Sequence, residues 1–415
     1  MPGTLAIILI VPIVAHLLFA ELVARRTERR YQTDIDDQSS NLLLINSDAS
    51  NARNVQPVAT DCSWKGWRKM VVASIHDESP DCRSFKLQPL DEGSLPRYLG
   101  GQSIQVRIPA GGAAGSLSRF YSLSSGPGED GYRITVRRVP NGRFSTQLHD
   151  AIDVGDVLEI QSPRGRFHID ATAPDRPLHL IAAGIGITPM LSMLLHSLEE
   201  TPSREVHLYY QLRDETNAPF LRALRFLNQS LEASSLFGLH VWFSRPTENQ
   251  MMKAGEFDGR ITSEQIVTEL QRGDLDCDYR ICGPVPFMES MAEGLIALGA
   301  NPKRVQYESF GGKLKSPGAI SVEQNFDEQS ISHHVKFCNG NTEAIYTDAS
   351  SSLLELAETS SVPVVSSCRA GICGSCVHRL ARGKIQYAQQ PECEYGEDEV
   401  VLCMAQPTSD IEIDV

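Results

Sequence analysis

The sequence predicts a multidomain protein in which an antiparallel β-barrel is followed by an α/β domain with a parallel sheet and then by a cysteine-rich domain. At 415 residues, the chain is long enough for two to four domains of roughly 100 to 200 residues each. Short β-rich segments follow Trp64, and after Pro174 they give way to apolar strands that alternate with helical segments. Six of the ten cysteines lie in the last 78 residues, which predicts metal binding rather than scattered disulfides.

The N-terminal segment predicts a transmembrane anchor over residues 1–24 and a polar linker over residues 25–63. The first 20 residues contain no charged side chain, and they are followed by four arginines, Arg25, Arg26, Arg29 and Arg30. Because basic residues flank spans on the cytoplasmic side, the rest of the chain is expected in the cytoplasm. A buried helix is the alternative, favoured by Pro12 and His16.

Residues 64–173 read as a small barrel because runs such as "KMVVASI" and "YRITVRRV" are separated by Gly, Pro, Asp and Asn. One run, "RFYSLSS", places Arg119 and Tyr121 on one face of a strand and Ser122 on the other. An arginine for phosphate, an aromatic ring for stacking and a hydroxyl for hydrogen bonding suit a flavin nucleotide. Taken singly, a solvated strand arginine is the more common reading.

A second turn of the barrel lies in "NGRFSTQLHD". Asn141 and Gly142 predict a turn, and Ser145 predicts the cap of a short helix whose N-terminus would meet a second phosphate. A plain helix cap with no ligand is the alternative for Ser145.

Residues 174–310 predict the α/β domain, because strands such as "LHLIAA" and "VHLYYQ" alternate with helices. One helix is indicated by four apolar residues on a single face, Phe220, Leu221, Leu224 and Leu227.

The strand "LHLIAA" leads directly into "GIGITPM", in which Gly184 and Gly186 allow a tight turn with close backbone approach. Thr188 suits the N-cap and Pro189 the first helical position, so free N–H groups would point at a diphosphate. A further strand ends in Cys282, Gly283 and Pro284, at the sheet edge where open α/β sheets bind ligands. Each turn alone is equally compatible with an ordinary loop.

Charge and composition exclude some classes of partner. The hydrophobic fraction of 41% and the charged fraction of 22% are those of a globular protein. A formal charge of -14 argues against a nucleic-acid partner, because phosphate binding requires a basic face.

The motifs R-x-Y-S, G-x-x-S, G-x-G-x-T-P and C-G-P, in this order, resemble those of the ferredoxin-NADP reductase superfamily. With the C-terminal cysteines, the layout is similar to the phthalate dioxygenase reductase type, and "WKGWRKM" and "RSFKLQP" resemble the reductase half of flavohaemoglobins. The resemblance covers residues 64–415. It implies a flavin-binding barrel, an NAD(P)-binding α/β domain, a linker over residues 311–330, and an α+β ferredoxin domain of β-grasp fold over residues 331–415.

The cysteines Cys368, Cys373 and Cys376 have the spacing C-x4-C-x2-C, which is typical of plant-type [2Fe-2S] domains and not of zinc ribbons. A Rieske centre would need two histidine ligands, and Cys376-Val377-His378 supplies only half of such a motif. Either Cys393 or Cys403 would be the fourth ligand. The resemblance favours Cys403, which ends an apolar strand.

The resemblance also implies roles at the flavin and the nicotinamide. Ser122 would hydrogen-bond the flavin, Cys282 would lie beside the nicotinamide, and Glu308 and Phe310 would lie near the flavin. The segments "NGRFST" and "SPRGRF" are more similar to FAD-binding members than to FMN-binding ones. The choice between NADH and NADPH stays open, although Arg213 and Arg245 follow two strands of the sheet and are candidates for a 2'-phosphate.

The function implied is hydride transfer from NAD(P)H to FAD, followed by single-electron transfer through [2Fe-2S] to a partner oxygenase, hydroxylase, desaturase or cytochrome. A stand-alone diaphorase or flavin reductase is a second enzymatic hypothesis. A metal-binding membrane adaptor on a relic reductase scaffold is the non-enzymatic one.

Overall fold

The structure is a computed structural model. It describes residues 64, 66–91, 93–109, 118–140, 142–170, 173, 176–231, 236–247, 250, 252–269, 275–308, 310, 332–338, 342–347, 352–360, 362, 364, 371, 374, 376–387, 390–391, 393 and 395–415. The predicted anchor and polar linker, residues 1–24 and 25–63, lie outside these ranges. Within them, no helix has the length and apolar character needed to span a bilayer.

The first domain is an antiparallel barrel, as the sequence predicts. Its strands are β1 (Arg68–Ser79), β2 (Cys82–Pro89), β3 (Ser103–Arg107), β4 (Ser118–Ser122), β5 (Tyr132–Arg137) and β6 (Val157–Ile160), and helix α1 (Arg143–Ala151) follows β5. They pair in the order β4-β3-β6-β1-β2-β5. A bridge between Leu123 and Ile134 joins the two ends of this order, so the sheet closes on itself. Alternate residues such as Phe85 and Leu87 are fully buried in the interior.

The second domain contains a six-stranded sheet whose strands are all parallel, which confirms the prediction from the alternating pattern. The strands are β7 (Leu178–Ala183), β8 (Val206–Leu212), β9 (Phe237–Phe243), β10 (Glu256–Asp258), β11 (Asp278–Cys282) and β12 (Val305–Glu308). Their order is β10-β9-β8-β7-β11-β12. Helix α2 (Ile187–Glu200) packs on β7, β8 and β11.

One helix of this region, α3 (Leu221–Leu231), belongs to a compact unit distinct from the one that contains the sheets. Its buried residues are Leu221, Leu224 and Leu227, which lie on the face predicted from their spacing. Two further helices, α4 (Ser263–Glu269) and α5 (Val285–Ala297), supply Ile266 and Met288 to the core that contains Ile181 and Tyr279.

A row of stacked rings crosses one face of the parallel sheet from β11 to β10. Ring centroids are 5.3 Å apart for Tyr279 and His179, 5.8 Å for His179 and Tyr209, and 4.9 Å for Tyr209 and His240. The row continues to Trp242 and ends where Trp242 stacks on Phe257 at 4.6 Å. We call these six residues the aromatic row.

The barrel and the α/β domain meet where the loop after β2 lies against α2. A side chain added at Gly100 would come within 2.7 Å of the Ser192 carbonyl oxygen, so the two backbones are in direct contact. The Gly100 N–H donates to Nδ1 of His196 at 3.1 Å, and Arg97 forms ion pairs with Glu199 and Glu200. These contacts join the barrel to the middle and the C-terminal end of α2.

Where the structure describes it, the third domain contains a mixed five-stranded sheet, a two-stranded sheet and one helix. Its elements are β13 (His333–Phe337), β14 (Thr342–Tyr346), α6 (Leu353–Thr359), β15 (Val377–Arg382), β16 (Ile385–Tyr387), β17 (Glu399–Val401), β18 (Ala405–Pro407) and β19 (Ile411–Asp414). The larger sheet has the order β14-β13-β19-β15-β17, and β13 and β19 are parallel. The arrangement is α+β, as expected from the resemblance.

Candidate functional site

Strand β4 presents the predicted flavin-binding side chains at its end. The ring of Tyr121 stacks on Phe144 of α1 at 6.1 Å, and burial raises the pKa of Tyr121. Arg119, two residues earlier, donates from Nη1 to the Ser118 carbonyl oxygen at 2.8 Å. Ser122 is only 4% exposed and faces away from the barrel interior. An aromatic surface, a cation and a hydroxyl therefore lie within four consecutive residues.

Helix α1 begins beside this strand with an N-terminus that no side chain caps. The N-cap residue is Gly142, and the first turn contains no acidic residue. Its first N–H groups are therefore available to an anion such as a diphosphate. The prediction that Ser145 is the cap is wrong. The Ser145 hydroxyl instead accepts from the Val139 N–H at 3.1 Å and closes the preceding turn.

The turn between β7 and α2 has the shape expected of a diphosphate site. Gly184 adopts φ +56, and apart from its chain neighbours no atom of the described residues lies within 4 Å of the position that its Cβ would occupy, so there is open space above this backbone. At Gly186 the reason for glycine is different, because a Cβ would lie 2.3 Å from the Cys282 carbonyl oxygen. The turn thus contacts the end of β11 on one side and is open on the other.

The predicted start of helix α2 is wrong by two residues. The helix begins at Ile187 with Gly186 as its N-cap, and no side chain caps it. Thr188 is not the N-cap, since its hydroxyl donates to the Ile185 carbonyl oxygen at 3.1 Å. Pro189 lies within the first turn rather than at its first position. A short 3-10 turn over Gly184–Gly186 accounts for the difference, because it extends the helical path toward the strand.

The flavin strand and the nucleotide-binding edge come together at Glu308. Cys282 at the end of β11 is paired with Glu308 at the end of β12 in the parallel sheet. The Ser122 hydroxyl donates to Oε2 of Glu308 at 3.3 Å, although 186 residues separate them in the chain. Cys282 is fully buried, and burial raises the pKa of its thiol, so it is a neutral group at this edge.

The remaining residues predicted at this edge have separate positions. Gly283 lies close to β7, because a Cβ there would lie 2.8 Å from the Ala183 Cβ. Pro284 is the N-cap of α5, and Phe310 is 48% exposed. Arg213 and Arg245 are joined in neighbouring loops, since the Arg245 N–H donates to the Arg213 carbonyl oxygen at 2.8 Å.

In the third domain the predicted ligands Cys376 and Cys403 lie near each other in the fold. The Leu402 N–H donates to the Cys376 carbonyl oxygen at 3.1 Å, and Cys403 follows in the turn between β17 and β18. Cys376 is 2% exposed. Cys368 and Cys373 lie outside the described residues. Among those described, no group of three or more candidate ligands is positioned around a metal ion.

The loop that contains Cys393 also contacts the segment before Cys376. The Cys393 N–H donates to the Gly371 carbonyl oxygen at 2.9 Å, and a Cβ on Gly374 would lie 3.5 Å from that of Cys393. Gly371 and Gly374 both have φ of +69, which glycine adopts without strain and which lets a loop curve tightly around a cluster. Thiols from separate segments of the chain, together with a glycine-rich loop, suit an iron–sulfur cluster.

Sequence reasoning missed Tyr210 in the second half of β8. Its hydroxyl lies 3.2 Å from the carbonyl oxygens of both Gly184 and Pro219, and the side chain is fully buried. Pro219 precedes Phe220, whose φ of 63 is the only positive value for a non-glycine among the described residues. The period-2 pattern of "VHLYYQL" places consecutive tyrosines on opposite faces, and this is the one signal that pointed to Tyr210.

Three family models match the chain in the order of its domains. They are described as an oxidoreductase FAD-binding domain over residues 69–169, an oxidoreductase NAD-binding domain over residues 180–293, and a 2Fe-2S iron-sulfur cluster binding domain over residues 336–408. The resemblance to the ferredoxin-NADP reductase superfamily is confirmed. The cofactors FAD, NAD(P)H and [2Fe-2S] agree with the open turns and thiols described above.

Among characterised proteins, the chain is 35% identical over 260 residues to the flavohemoprotein of Rhizobium meliloti (strain 1021), covering 60% of this chain and 62% of that one. It is also 35% identical over 254 residues to the flavohemoprotein of Bacillus subtilis (strain 168), covering 60% and 61%. The chain therefore spans about three fifths of the length of these relatives.

Among solved structures, phthalate dioxygenase reductase matches with a TM-score of 0.53 and 25% identity, covering 84% of this chain and 98% of that one. That protein is described as a modular structure for electron transfer from pyridine nucleotides to [2Fe-2S]. The FAD/NAD-binding domain of nitric oxide dioxygenase from Vibrio cholerae matches with a TM-score of 0.51 and 29% identity, covering 59% and 99%.

Proposed function

Because this oxidoreductase joins FAD-binding, NAD-binding and 2Fe-2S domains in one polypeptide, we propose that it takes hydride from NAD(P)H and delivers single electrons to a partner protein. The observation that most supports the proposal is the contact of Ser122 with Glu308 at 3.3 Å. It brings the end of the flavin strand to the edge where Cys282 would face a nicotinamide. When bound, a flavin accepts two electrons as hydride and releases them singly, as a one-electron cluster requires.

The residues of this chain would bind and orient the two nucleotides. Arg119 and the uncapped N-terminus of α1 would hold the flavin phosphates, with Tyr121 stacked on the flavin. Gly184 and the N-terminus of α2 would hold the dinucleotide diphosphate. Ser122 would form a hydrogen bond at the flavin edge, and the neutral thiol of Cys282 would exclude water from the nicotinamide. No general base is assigned.

The electron exit would be a [2Fe-2S] cluster ligated by Cys368, Cys373, Cys376 and Cys403. The spacing of the first three and the position of Cys403 after an apolar strand support this ligand set. An oxygenase, hydroxylase, desaturase or cytochrome would receive the electrons. The likeness to phthalate dioxygenase reductase over most of both chains favours an oxygenase.

A pair of matched cysteine variants tests the electron route. Cys403→Ser replaces a thiolate by a hydroxyl, which stays protonated near neutral pH and is a harder ligand than the cluster prefers. We expect this variant to lose or alter the visible cluster spectrum and one-electron reduction of a partner such as cytochrome c, while NAD(P)H-dependent ferricyanide reduction continues. Cys393→Ser is expected to keep all three properties.

Three other outcomes of these measurements would each lead to a different conclusion. If Cys393→Ser bleaches the cluster and Cys403→Ser does not, the ligand assignment is wrong but the function stands. If cytochrome c reduction survives the loss of the cluster, the protein is a diaphorase in which flavin reduces the acceptor directly. A colourless, zinc-containing protein with no NAD(P)H oxidation would refute the function itself.

We further propose that residues 1–24 anchor the protein in a membrane, with the cofactor domains on the cytoplasmic side. The uncharged run and the four arginines that follow it support this proposal. Deleting residues 1–30 should release an active, coloured protein from the membrane fraction. If the full chain is extracted from membranes by carbonate or high salt, the anchor proposal is wrong.

A further inference from the structure

A chain of buried hydroxyl groups crosses the barrel next to the flavin strand. The hydroxyl oxygens of Ser124 and Thr135 are 2.8 Å apart, and those of Thr135 and Ser84 are also 2.8 Å apart. The Ser84 hydroxyl donates to Oε1 of Glu78 at 2.6 Å. The three hydroxyl residues are at most 3% exposed. We call these four residues the hydroxyl chain; it is a continuous series of hydrogen bonds that ends on a carboxyl group.

The carboxyl end of the chain lies at an irregularity of strand β1. Asp77 pairs with Arg83 and Ser79 pairs with Cys82, so Glu78 has no paired residue on β2. Such β-bulges redirect a side chain and are frequent beside active sites. Here the bulge leaves Glu78 free of the regular ladder while its carboxyl group accepts from Ser84.

Burial and charge act in opposite directions on Glu78. Burial raises the pKa of its carboxyl group and Asp77 adds to that effect, whereas Arg133, the Ser84 hydroxyl and His76 lower the pKa. Arg133 also lies at the other end of the chain, where its Nε donates to the Ser124 hydroxyl at 3.3 Å. A carboxyl group whose pKa lies above its usual range is nearer to neutral pH, and it therefore accepts and releases protons more readily.

One end of the hydroxyl chain lies toward the flavin strand. Ser124 follows Ser122 by two residues on the same face, a separation of about 7 Å along a strand. At the other end, Glu78 is partly buried within strand β1.

The proposed reaction needs a route for one proton. A hydride would bring one hydrogen nucleus and two electrons to a bound flavin, and the two electrons would leave singly through the cluster. One proton must therefore leave the flavin edge in each cycle. We propose that the hydroxyl chain conducts this proton, through one water molecule next to Ser124, and that Glu78 is the group that takes it up. This inference rests on the proposed function.

Each step conserves atoms and charge. The Ser124 hydroxyl, which lies 3.2 Å from the Arg133 carbonyl oxygen and donates to it at rest, turns to Thr135 as it receives the proton and passes its own on. Thr135 passes one to Ser84, and Ser84 passes one to the Glu78 carboxylate. Glu78 becomes a neutral carboxylic acid and then releases the proton to solvent. Glu308, which accepts from Ser122, is the competing acceptor, and the experiment distinguishes the two.

The test uses the full chain with FAD and cluster bound. The protein is reduced with NAD(P)H and then mixed with ferricyanide and a pH-indicator dye, so that flavin oxidation and proton release are recorded separately. Glu78→Gln and Ser84→Ala each interrupt the chain at a different residue. We expect both to slow proton release at least about tenfold. This is a conservative figure, because removing a proton-transfer group commonly costs about a hundredfold or more in rate. Reduction by NAD(P)H should stay within about twofold, because hydride transfer does not use the chain.

The control is Glu129→Gln, which removes a carboxylate that lies 4.0 Å from the same Arg133 but outside the chain. This variant should release protons at the wild-type rate. A second readout does not depend on turnover. The infrared difference spectrum between photoreduced and oxidised protein should contain a carboxylic-acid C=O band that Glu78→Gln lacks.

The inference is overturned if Glu78→Gln and Ser84→Ala release protons at the wild-type rate, or if Glu308→Gln alone slows release. If Glu78→Gln does not fold, Ser84→Ala with Thr135→Val decides the same question through proton release. A wild-type protein that NAD(P)H does not reduce would instead refute the proposed function. Failure of this inference and failure of the proposed function would therefore be recognised by different measurements.

Discussion

The Tyr210 hydroxyl contacts the carbonyl oxygens of Gly184 and Pro219, each at 3.2 Å, and it supports the diphosphate turn without contacting open solvent. Tyr210→Phe removes this contact and preserves the ring. Since a net hydrogen bond contributes about 0.5 to 1.5 kcal/mol, the KM for NAD(P)H should rise about two- to tenfold. The rate of ferricyanide reduction at saturating NAD(P)H should change little.

A tyrosine in the third domain supplies the control for this variant. Tyr395→Phe removes an exposed hydroxyl that bonds the Gln390 side chain at 3.2 Å, and it should leave the KM for NAD(P)H unchanged. An unchanged KM in Tyr210→Phe would mean that the turn keeps its shape without the hydroxyl.

Arg119 gives a second prediction at the scale of a residue. Arg119→Ala removes a charge-assisted contact to phosphate, worth about 1.5 to 3 kcal/mol, so FAD should bind roughly ten- to a hundredfold more weakly. Flavin occupancy at limiting FAD, measured by fluorescence titration, checks this result. Undiminished FAD affinity would place Arg119 outside the flavin site.

The face on which a side chain lies was predictable from the sequence where the residue belongs to a single regular strand. Arg119, Tyr121 and Ser122 lie as the period of two requires. The caps were not predictable, because Ser145 and Thr188 each have a nearby backbone group that competes for the hydroxyl. Hydroxyl residues form these local bonds as readily as true caps, and the sequence does not distinguish the two.

At the scale of elements, a buried ion network joins the starts of strands β7, β8 and β11. Asp278 accepts from Arg204 at 2.7 Å and from Arg176 at 3.4 Å, and the Arg204 side chain is fully buried. Asp278→Asn leaves Arg204 charged and without its carboxylate. We expect the free energy of unfolding to fall by about 3 to 5 kcal/mol, measured by urea denaturation.

An exposed ion pair supplies the comparison for Asp278. Arg138 and Asp150 lie 2.8 Å apart with about half of each side chain exposed. Asp150→Asn should therefore change the free energy of unfolding by no more than about 1 kcal/mol. Equal effects of the two variants would contradict the assignment of a structural role to the buried network.

The elements themselves were largely predictable, because apolar runs and periodicity report burial directly. The parallel sheet and helix α3 follow the predicted pattern. The start of α2 did not, since the 3-10 turn at Gly184–Gly186 depends on a contact with Cys282 almost 100 residues away in the chain. Long-range contacts of this kind set element boundaries and are not encoded in local sequence.

At the scale of the whole molecule, acid should destabilise the fold through its histidines. Burial lowers the pKa of His179 well below its ordinary value and that of His240 to about 4, and the charge of His207 adds to both effects. In the unfolded chain each histidine titrates near about 6.5. Protons therefore bind the unfolded state preferentially, and stability falls as the pH decreases from about 6.5 toward about 4.

The variant His240→Gln isolates one part of this dependence. Because glutamine does not titrate, the urea midpoint of the wild type should fall more steeply than that of the variant as the pH decreases below about 6.5. The comparison removes contributions from carboxyl groups, which both proteins share. A difference that does not vary with pH would show that His240 keeps an ordinary pKa.

The order of the three domains was predictable because each has one motif with a distinctive spacing. The contact between Ser122 and Glu308 was not, since it depends on how the barrel lies against α2 at Gly100. The fourth cluster ligand is proposed as Cys403 from the family pattern and not from contacts, for a related reason. Cys393 and Cys403 both belong to loops that approach Cys376 and its neighbours, so neither spacing nor proximity separates them.

The aromatic row also provides an optical signal for one domain. Trp242 is 1% exposed and lies between His240 and Phe257, whereas the two other tryptophans, Trp64 and Trp67, are only partly buried at the start of the barrel. An indole shielded from water fluoresces at shorter wavelength than a hydrated one. With Trp64 and Trp67 replaced by phenylalanine, the emission maximum of Trp242 would follow the opening of the parallel sheet alone, while flavin absorbance follows the barrel.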